Sequence, residues 1–180
     1  YATRVLKTNT RVISHNSVKL RLAYSFPGVR YRVDTFSSKE PETLAWIDSF
    51  PPGSTFVDVG ANIGLYSVYA GVRGSRVLAI EPAPENLFTL ILNLQLNNLS
   101  DVVDLSFSPI GRNNAEPTLV QQGTMAPGGA RLTALDDAKD AVISWRTSIR
   151  SLDSLCEETG LWPDFIKIDI DGHELELVFG

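Results

Sequence analysis

The 180-residue chain has one cysteine, Cys156, which excludes an intramolecular disulfide framework, and no Cys/His cluster has zinc-ligand spacing. It has no run near the roughly 18 consecutive apolar residues that a membrane span requires, and no charged-then-apolar leader opens it at Tyr1. With a reducing compartment suggested by the cysteine usage, the expected setting is cytoplasmic, although Tyr1 is not an initiator methionine. Basic charge is scarce: 16 Lys and Arg stand against 21 Asp and Glu, a net charge of -5 that leaves no electrostatic footprint for a phosphate backbone. Nucleic acid is therefore not an expected partner. The phosphate-binding signatures are missing too. A G-x-G-x-x-G fingerprint needs glycines where Asn62 and Leu65 stand, and no G-K-[ST] loop occurs. What remains, with 43% hydrophobic and 21% charged residues, is the composition of one soluble globular domain with a real core.

Short Val/Ile/Leu-rich runs at Thr55 to Val59, Arg76 to Ile80, Val102 to Phe107 and Phe165 to Ile170 read as strands, and the helical patterns Ile63 to Val72 and Pro84 to Asn98 separate the first three. Strand alternating with helix implies a parallel α/β sheet, and continuous apolar strands suit a sheet covered on both faces. Ahead of it, the alternation of Val18 to Leu22, the Pro27-Gly28 break and Val29 to Val33 predict a β-hairpin, so that residues 1–36 form an N-terminal extension. Ser37 and Glu40 have capping-box spacing before a short helix ending at Pro51-Pro52-Gly53. In the helix from Pro84, Leu87, Ile91 and Leu94, with Phe88 and Leu92, predict the core-facing side. Gly111 to Ser148 is a long excursion, expected to be a hairpin with a mobile tip near a substrate site.

In such sheets ligands sit beyond the carboxyl ends of the strands, near the point where strand order reverses. Asp58-Val59-Gly60-Ala61-Asn62-Ile63-Gly64 ends the first core strand there. Gly60 permits close backbone approach, Asn62 tolerates a left-handed conformation, and Gly64 permits close packing. A tight strand-to-helix turn favours the same residues without any ligand, so the next strand matters. It ends in Ile80-Glu81-Pro82, with the acid 17 residues after Gly64, near the roughly 20-residue spacing at which a carboxylate grips ribose hydroxyls. Asp58, Glu81, Asp169 and Asp171 all fall at strand carboxyl ends, a field that opposes a pyrophosphate and favours a cationic nucleoside. S-adenosylmethionine, a sulfonium without phosphate, fits that charge.

DVGANIGLYS, AIEPAPENLFTLILNLQLNN, SLDSL and FIKIDIDGHELELV together resemble the successive motifs of the FkbM family of S-adenosylmethionine-dependent methyltransferases, over roughly residues 40 to 180. The resemblance implies a class I methyltransferase (Rossmann-like) fold for residues 37–180, and methyl transfer to a hydroxyl of a sugar, glycan or polyketide-type small molecule. It further implies that Asp58, Gly60, Ala61, Asn62 and Gly64 wrap the methionine moiety, that Glu81 with Pro82 holds the ribose, that Ser108 and Ile110 flank adenine, and that Asp169 faces the methionine end and the acceptor. The family often carries an aromatic where this chain has His173. The fold also has further strands after the one at Phe165, so C-terminal strands are expected to be missing at Gly180, leaving a sheet edge open to homo-oligomer pairing.

Methyl transfer to oxygen needs alignment and one base. His173 is a candidate base because imidazole titrates near neutrality, with a first-turn residue bonded to backbone or water as the alternative. Asp169 and Asp171 share a strand face and are the other catalytic candidates; without a third oxygen ligand, no metal is expected. Lys167, on the same face, is expected to neutralise a carboxylate. Tyr66 and Tyr69 are expected to pack in the core or at the rim. Two other readings stand beside methyl transfer: a nucleotide-dependent oxidoreductase of doubly wound fold, and a non-catalytic cofactor-binding module.

Overall fold

The computed structural model describes residues 9–114, 118–122, 132–133 and 143–170. Strands β1 (Thr10–His15) and β2 (Val18–Ala23) pair antiparallel. Helices α1 (Pro27–Asp34), α2 (Phe36–Lys39) and α3 (Pro41–Asp48) follow, then β3 (Thr55–Val59), α4 (Leu65–Val72), β4 (Arg76–Ile80), α5 (Pro84–Leu96) and β5 (Val103–Ser106). Strands β6 (Thr118–Gln122), β7 (Leu132–Thr133) and β8 (Ile143–Thr147) come next, and α6 (Leu152–Thr159) and β9 (Phe165–Ile168) close the described chain.

The central sheet is parallel, in the order β5-β4-β3-β9. From β3 the chain steps outward through β4 to β5 and then returns to the other side of β3. The β3/β9 boundary is therefore the point where strand order reverses, and the crevice above it is the expected ligand position. Residues alternate between two cores. Phe56, Val77 and Ala79 face α3, α4, α5 and the hairpin, while Val57, Val59, Leu78 and Ile80 face Leu155 of α6 and Leu161 just after it. This doubly covered sheet is the class I methyltransferase (Rossmann-like) arrangement, and it explains why the strands read as continuous apolar runs. At the amino ends of β3 and β9, Phe50 stacks on Phe165 at 3.9 Å, and Trp46 meets Phe56 and Phe165 edge-on.

The hairpin exists, but not where the alternation placed it. Its second strand is Val18–Ala23 and its first is Thr10–His15, joined by Asn16 and Ser17 at φ 44° and 68°. A two-residue turn with both residues left-handed matches the twist of paired strands, and asparagine is well suited to it. Val29 to Val33 lies instead in α1, because Pro27 fits the first helical turn and leaves Val29 and Val33 one turn apart on the buried side. Nor does the Ser37/Glu40 capping box form. Pro41 starts α3, and Glu40, its cap residue, makes no side-chain cap bond. The hairpin joins the main core, since Leu20 and Leu22 are fully buried in the same cluster as Phe56 and Leu90.

The excursion after β5 contains a three-stranded antiparallel sheet, ordered β7-β6-β8. The predicted tip of the excursion lies outside the described residues. On α5 the predicted apolar face is only partly the buried one. Leu94 is buried, Leu87, Ile91 and Leu92 are half-buried, and Phe88 is exposed, whereas Asn86, Thr89, Leu90 and Asn93 point inward. Asn93 bonds backbone groups of Ala23 and Ile63, and Asn86 bonds the Glu81 carboxylate, needs that override apolar periodicity.

Candidate active site

The turn from Asp58 to Gly64 is shaped by close approaches. Gly60, at φ +80°, lies against the end of β9, so that a Cβ there would sit 2.0 Å from the Asp169 carbonyl oxygen. Only glycine accepts both that backbone angle and that contact. The Gly60 and Ala61 amides both donate to the Ile80 carbonyl, at 2.9 and 3.0 Å, which stitches the turn onto the end of β4. Asn62 follows at φ 55°, and its side-chain oxygen accepts from the Ile63 amide at 2.9 Å. Gly64, at φ +78°, packs on Leu90 and opens α4.

Glu81 leaves β4 nearly fully buried and holds this turn from the far side. One carboxylate oxygen accepts from the Asn62 amide and the other from the Ala83 amide, both at 2.8 Å. Burial raises its pKa, against the hydrogen bonds from Ala83, Asn62 and Asn86 that favour the charged form. A carboxylate offers about four lone-pair sites, so these three donors leave capacity for one ribose hydroxyl. Pro82 continues the chain into α5. Ser106 ends β5 beside this point and accepts from the Glu81 amide through its carbonyl at 3.0 Å. Beyond it, Ser108 and Ile110 form a half-buried loop. The Ile110 segment bridges to Arg150, with Arg150 donating to the Pro109 carbonyl and Gly111 to the Arg150 carbonyl, each at 3.0 Å.

Asp58 is completely buried, on the α4 side of β3. Its Oδ2 accepts from the Ser67 hydroxyl at 2.6 Å, and its Oδ1 has no hydrogen-bond partner. Burial raises its pKa, with Lys167 and then Ser67 pulling the other way. Lys167 stands opposite Asp58 in the β3/β9 register and reaches Asp169 at 3.0 Å. The Asp169 side chain is 60% exposed where that of Lys167 is 11%, which places the lysine within the wall and the acid at the mouth. Lys167 thus does neutralise carboxylates. It also lies 5.2 Å over the Tyr66 ring. Burial raises the Tyr66 pKa, and the Glu40 charge and hydrogen bond add to it, so the phenol stays protonated. Tyr69 instead belongs to the core, its pKa pushed up to about 12 by burial and by its bond to Asp48.

The sequence-predicted residues Asp58, Gly60, Ala61, Asn62, Gly64, Glu81 and Asp169 thus converge at the carboxyl ends of β3, β4 and β9, with Pro82, Ser108 and Ile110 along one flank. Asp171 and His173 lie outside the described residues. The sequence reading missed Ser67 as the Asp58 partner and Glu40 as the Tyr66 partner. Ser67 lies nine positions after Asp58 on the helix facing β3, a signal that was available. Glu40 comes from outside the strand-helix repeat and had none. An acidic crevice with an orphaned, fully buried carboxylate oxygen and a glycine cradle fits a cationic nucleoside better than a pyrophosphate.

Comparison with known proteins gives a family. The family model described as "Methyltransferase FkbM domain" matches residues 58–180. "Methyltransferase 1" of Beauveria bassiana (strain ARSEF 2860) is 29% identical over 150 residues, which cover 73% of this chain and 59% of that protein. The chain thus spans less than two thirds of that relative. Among solved structures, TYW2 of P. horikoshii in complex with MeSAdo aligns with TM-score 0.38 and 23% identity, over 54% of this chain and 35% of that one. The SAM-dependent methyltransferase from Agrobacterium tumefaciens gives 0.38 and 12%, over 55% and 32%. The complex of aTrm5 with tRNALeu gives 0.37 and 18%, over 55% and 28%.

Proposed function

The chain belongs to the FkbM family of S-adenosylmethionine-dependent methyltransferases, and on that premise we propose that it methylates a hydroxyl of a sugar, glycan or polyketide-type small molecule. The observation that carries the reading is the acidic crevice at the β3/β9 reversal, where Asp58, Glu81 and Asp169 meet a glycine-lined turn. In this proposal Asp58 and the turn through Gly64 hold the methionine end, Glu81 with Pro82 binds the ribose, and Ser108 and Ile110 flank the base. The donor supplies an electrophilic methyl group on a sulfonium.

The protein's remaining tasks are to align an acceptor oxygen and take its proton. Asp169, exposed at the mouth and paired with Lys167, orients the acceptor hydroxyl. We assign the proton to His173, whose imidazole has the right ordinary pKa for that step, and to Asp171 the support of that charge. The negative rim favours a neutral hydroxylated acceptor over RNA. In the test, the full-length protein is incubated with methyl-labelled S-adenosylmethionine and separate pools of glycans, hydroxylated polyketides and tRNA. Alkali-stable label in a glycan or polyketide product supports the assignment. Label in tRNA, alkali-labile methyl ester, or binding without turnover contradicts it. For His173→Gln, the account expects loss of the acid limb of the kcat/KM pH profile.

A further inference from the structure

Among the described residues, one fully buried side chain spans the N-terminal hairpin and the cofactor turn. The Asn93 amide nitrogen donates to the Ile63 carbonyl at 2.7 Å, and its oxygen accepts from the Ala23 amide of β2 at 2.7 Å. Asn97, one helical turn on, is hydrogen-bonded to both backbone groups of Arg21, with Arg21 donating at 3.0 Å and the asparagine amide donating back at 2.7 Å. It also donates to the Asn93 carbonyl at 2.7 Å. The edge of β2 that faces α5 is thus paired with asparagine amides in place of another strand. Neither Ala23 nor Asn93 is among the residues assigned to the donor, yet the far end of this bridge is the carbonyl between Asn62 and Gly64.

We propose that Asn93 is a positioning residue that makes the N-terminal hairpin part of the donor site, fixing the Asn62–Gly64 backbone by a continuous path from the Ala23 amide through Asn93 to the Ile63 carbonyl. The physical reason is rigidity. Asn62 and Gly64 are both left-handed, at φ 55° and +78°, and a turn with two such residues has other backbone states to visit when nothing holds its carbonyls. Inside that turn the Asn62 amide faces Glu81 and the Gly64 amide faces Ala61, so releasing Ile63 disturbs both sides of the site. Because the Asn93 amide is buried, both of its bonds must be made together, and an unmet partner at either end is costly. A conformational change in the hairpin reaches the donor site along this path. The inference rests on the turn being the S-adenosylmethionine site for its affinity consequence, but not for its rigidity consequence.

Two substitutions break the path at different ends. Asn93→Asp keeps an acceptor for Ala23 and loses the donor to Ile63. Ala23→Pro removes the Ala23 amide and sets a ring carbon against the Asn93 oxygen, which breaks the path at its hairpin end without substituting Asn93 or Ile63. Asn97→Ala loosens the hairpin at Arg21 without touching either bond and serves as the control. On the full-length protein without ligand, site-resolved amide hydrogen exchange is followed at Asn62 and Gly64, and S-adenosylhomocysteine affinity is measured by calorimetry. Exchange at both amides is expected to rise about tenfold in Asn93→Asp and about threefold in Ala23→Pro, with the dissociation constant rising in parallel. For Asn97→Ala both stay within about twofold of wild type. If Asn93→Asp fails to fold, Ala23→Pro alone decides. Unchanged exchange in Ala23→Pro, or an equal rise in Asn97→Ala, overturns the proposal. If the wild type does not bind S-adenosylhomocysteine but the variants show the exchange pattern, the donor assignment is refuted and the brace stands.

Discussion

Replacing Gly60 with alanine tests the geometry on which the site depends. Two costs add. At φ +80° a side chain in the left-handed region costs roughly 1–2 kcal/mol. The new Cβ would also lie 2.0 Å from the Asp169 carbonyl oxygen and 2.9 Å from its carbon, both backbone atoms that cannot rotate away. Restoring an ordinary contact moves the end of β9 by about 1 Å or more and weakens the Asp169 amide bond to the Val59 carbonyl, a further loss of about 1–3 kcal/mol. The sum, about 2–5 kcal/mol, is a large part of a typical domain stability. Gly53 supplies the control, because it has φ +83° and a Cβ there would meet nothing within 4 Å, so Gly53→Ala carries the backbone cost alone. In urea unfolding followed by tryptophan fluorescence, Gly60→Ala is expected to fall below Gly53→Ala by about 1 M in midpoint at equal slope. Equal midpoints would refute the contact between the turn and β9, and with it the cradle.

Gly64→Ala brings a Cβ to 2.8 Å from Leu90 Cγ, so Leu90→Ala should relieve it. The double variant is then expected to be more stable than the sum of the singles by about 1 kcal/mol in a denaturation cycle. Asp58→Asn should stabilise the fold while weakening S-adenosylhomocysteine. A buried acid with a raised pKa favours folding below its unfolded value and loses that contribution as pH rises through the folded value, so the gain in urea midpoint should grow with pH. Asp48 behaves in the opposite sense. Burial pulls its pKa up, but bonds from Tyr69 and Asn16 and the charge of Arg73 outweigh it and hold the group low. Its contribution is present above the ordinary value of 3.8 and disappears as pH falls through the lower folded value, so Asp48→Asn should flatten the loss of stability as pH falls below 3.8.

The sheet and the turn were legible because each rests on local chemistry. Strands buried on both faces must be apolar throughout, and an acid following Ile80 can only stand at a strand end. The hairpin was misplaced because Pro27 and the valines after it suit a strand break and a first helical turn equally well, and burial of Val29 and Val33 one turn apart decided for the helix. The inward face of α5 was misread for a related reason. Asn86 and Asn93 look like surface residues in one dimension, and for Asn93 only the backbone groups of Ile63 and Ala23, 30 and 70 positions away, draw it inside. Pairing of Asp58 with Lys167 depends on the β3/β9 register, which spans more than a hundred residues and has no local signature. Asp58, Glu81 and Asp169 were therefore readable as strand-end acids and Lys167 as a neutralising charge, while the acid that Lys167 stands opposite across the sheet was not.

The central claim is that the turn and Glu81 hold S-adenosylmethionine. Calorimetric titration of the full-length protein with S-adenosylhomocysteine, repeated with Glu81→Ala, tests it most directly. Glu81→Ala removes the acceptors of the Asn62 and Ala83 amides and, on the proposed assignment, that of the ribose. The account predicts one binding site in the wild type and an affinity at least about tenfold weaker in the variant, on the scale of about 1.5–3 kcal/mol for a lost hydrogen bond to a charged group. A folded wild-type protein that does not bind, or a Glu81→Ala variant that binds as tightly, would contradict it.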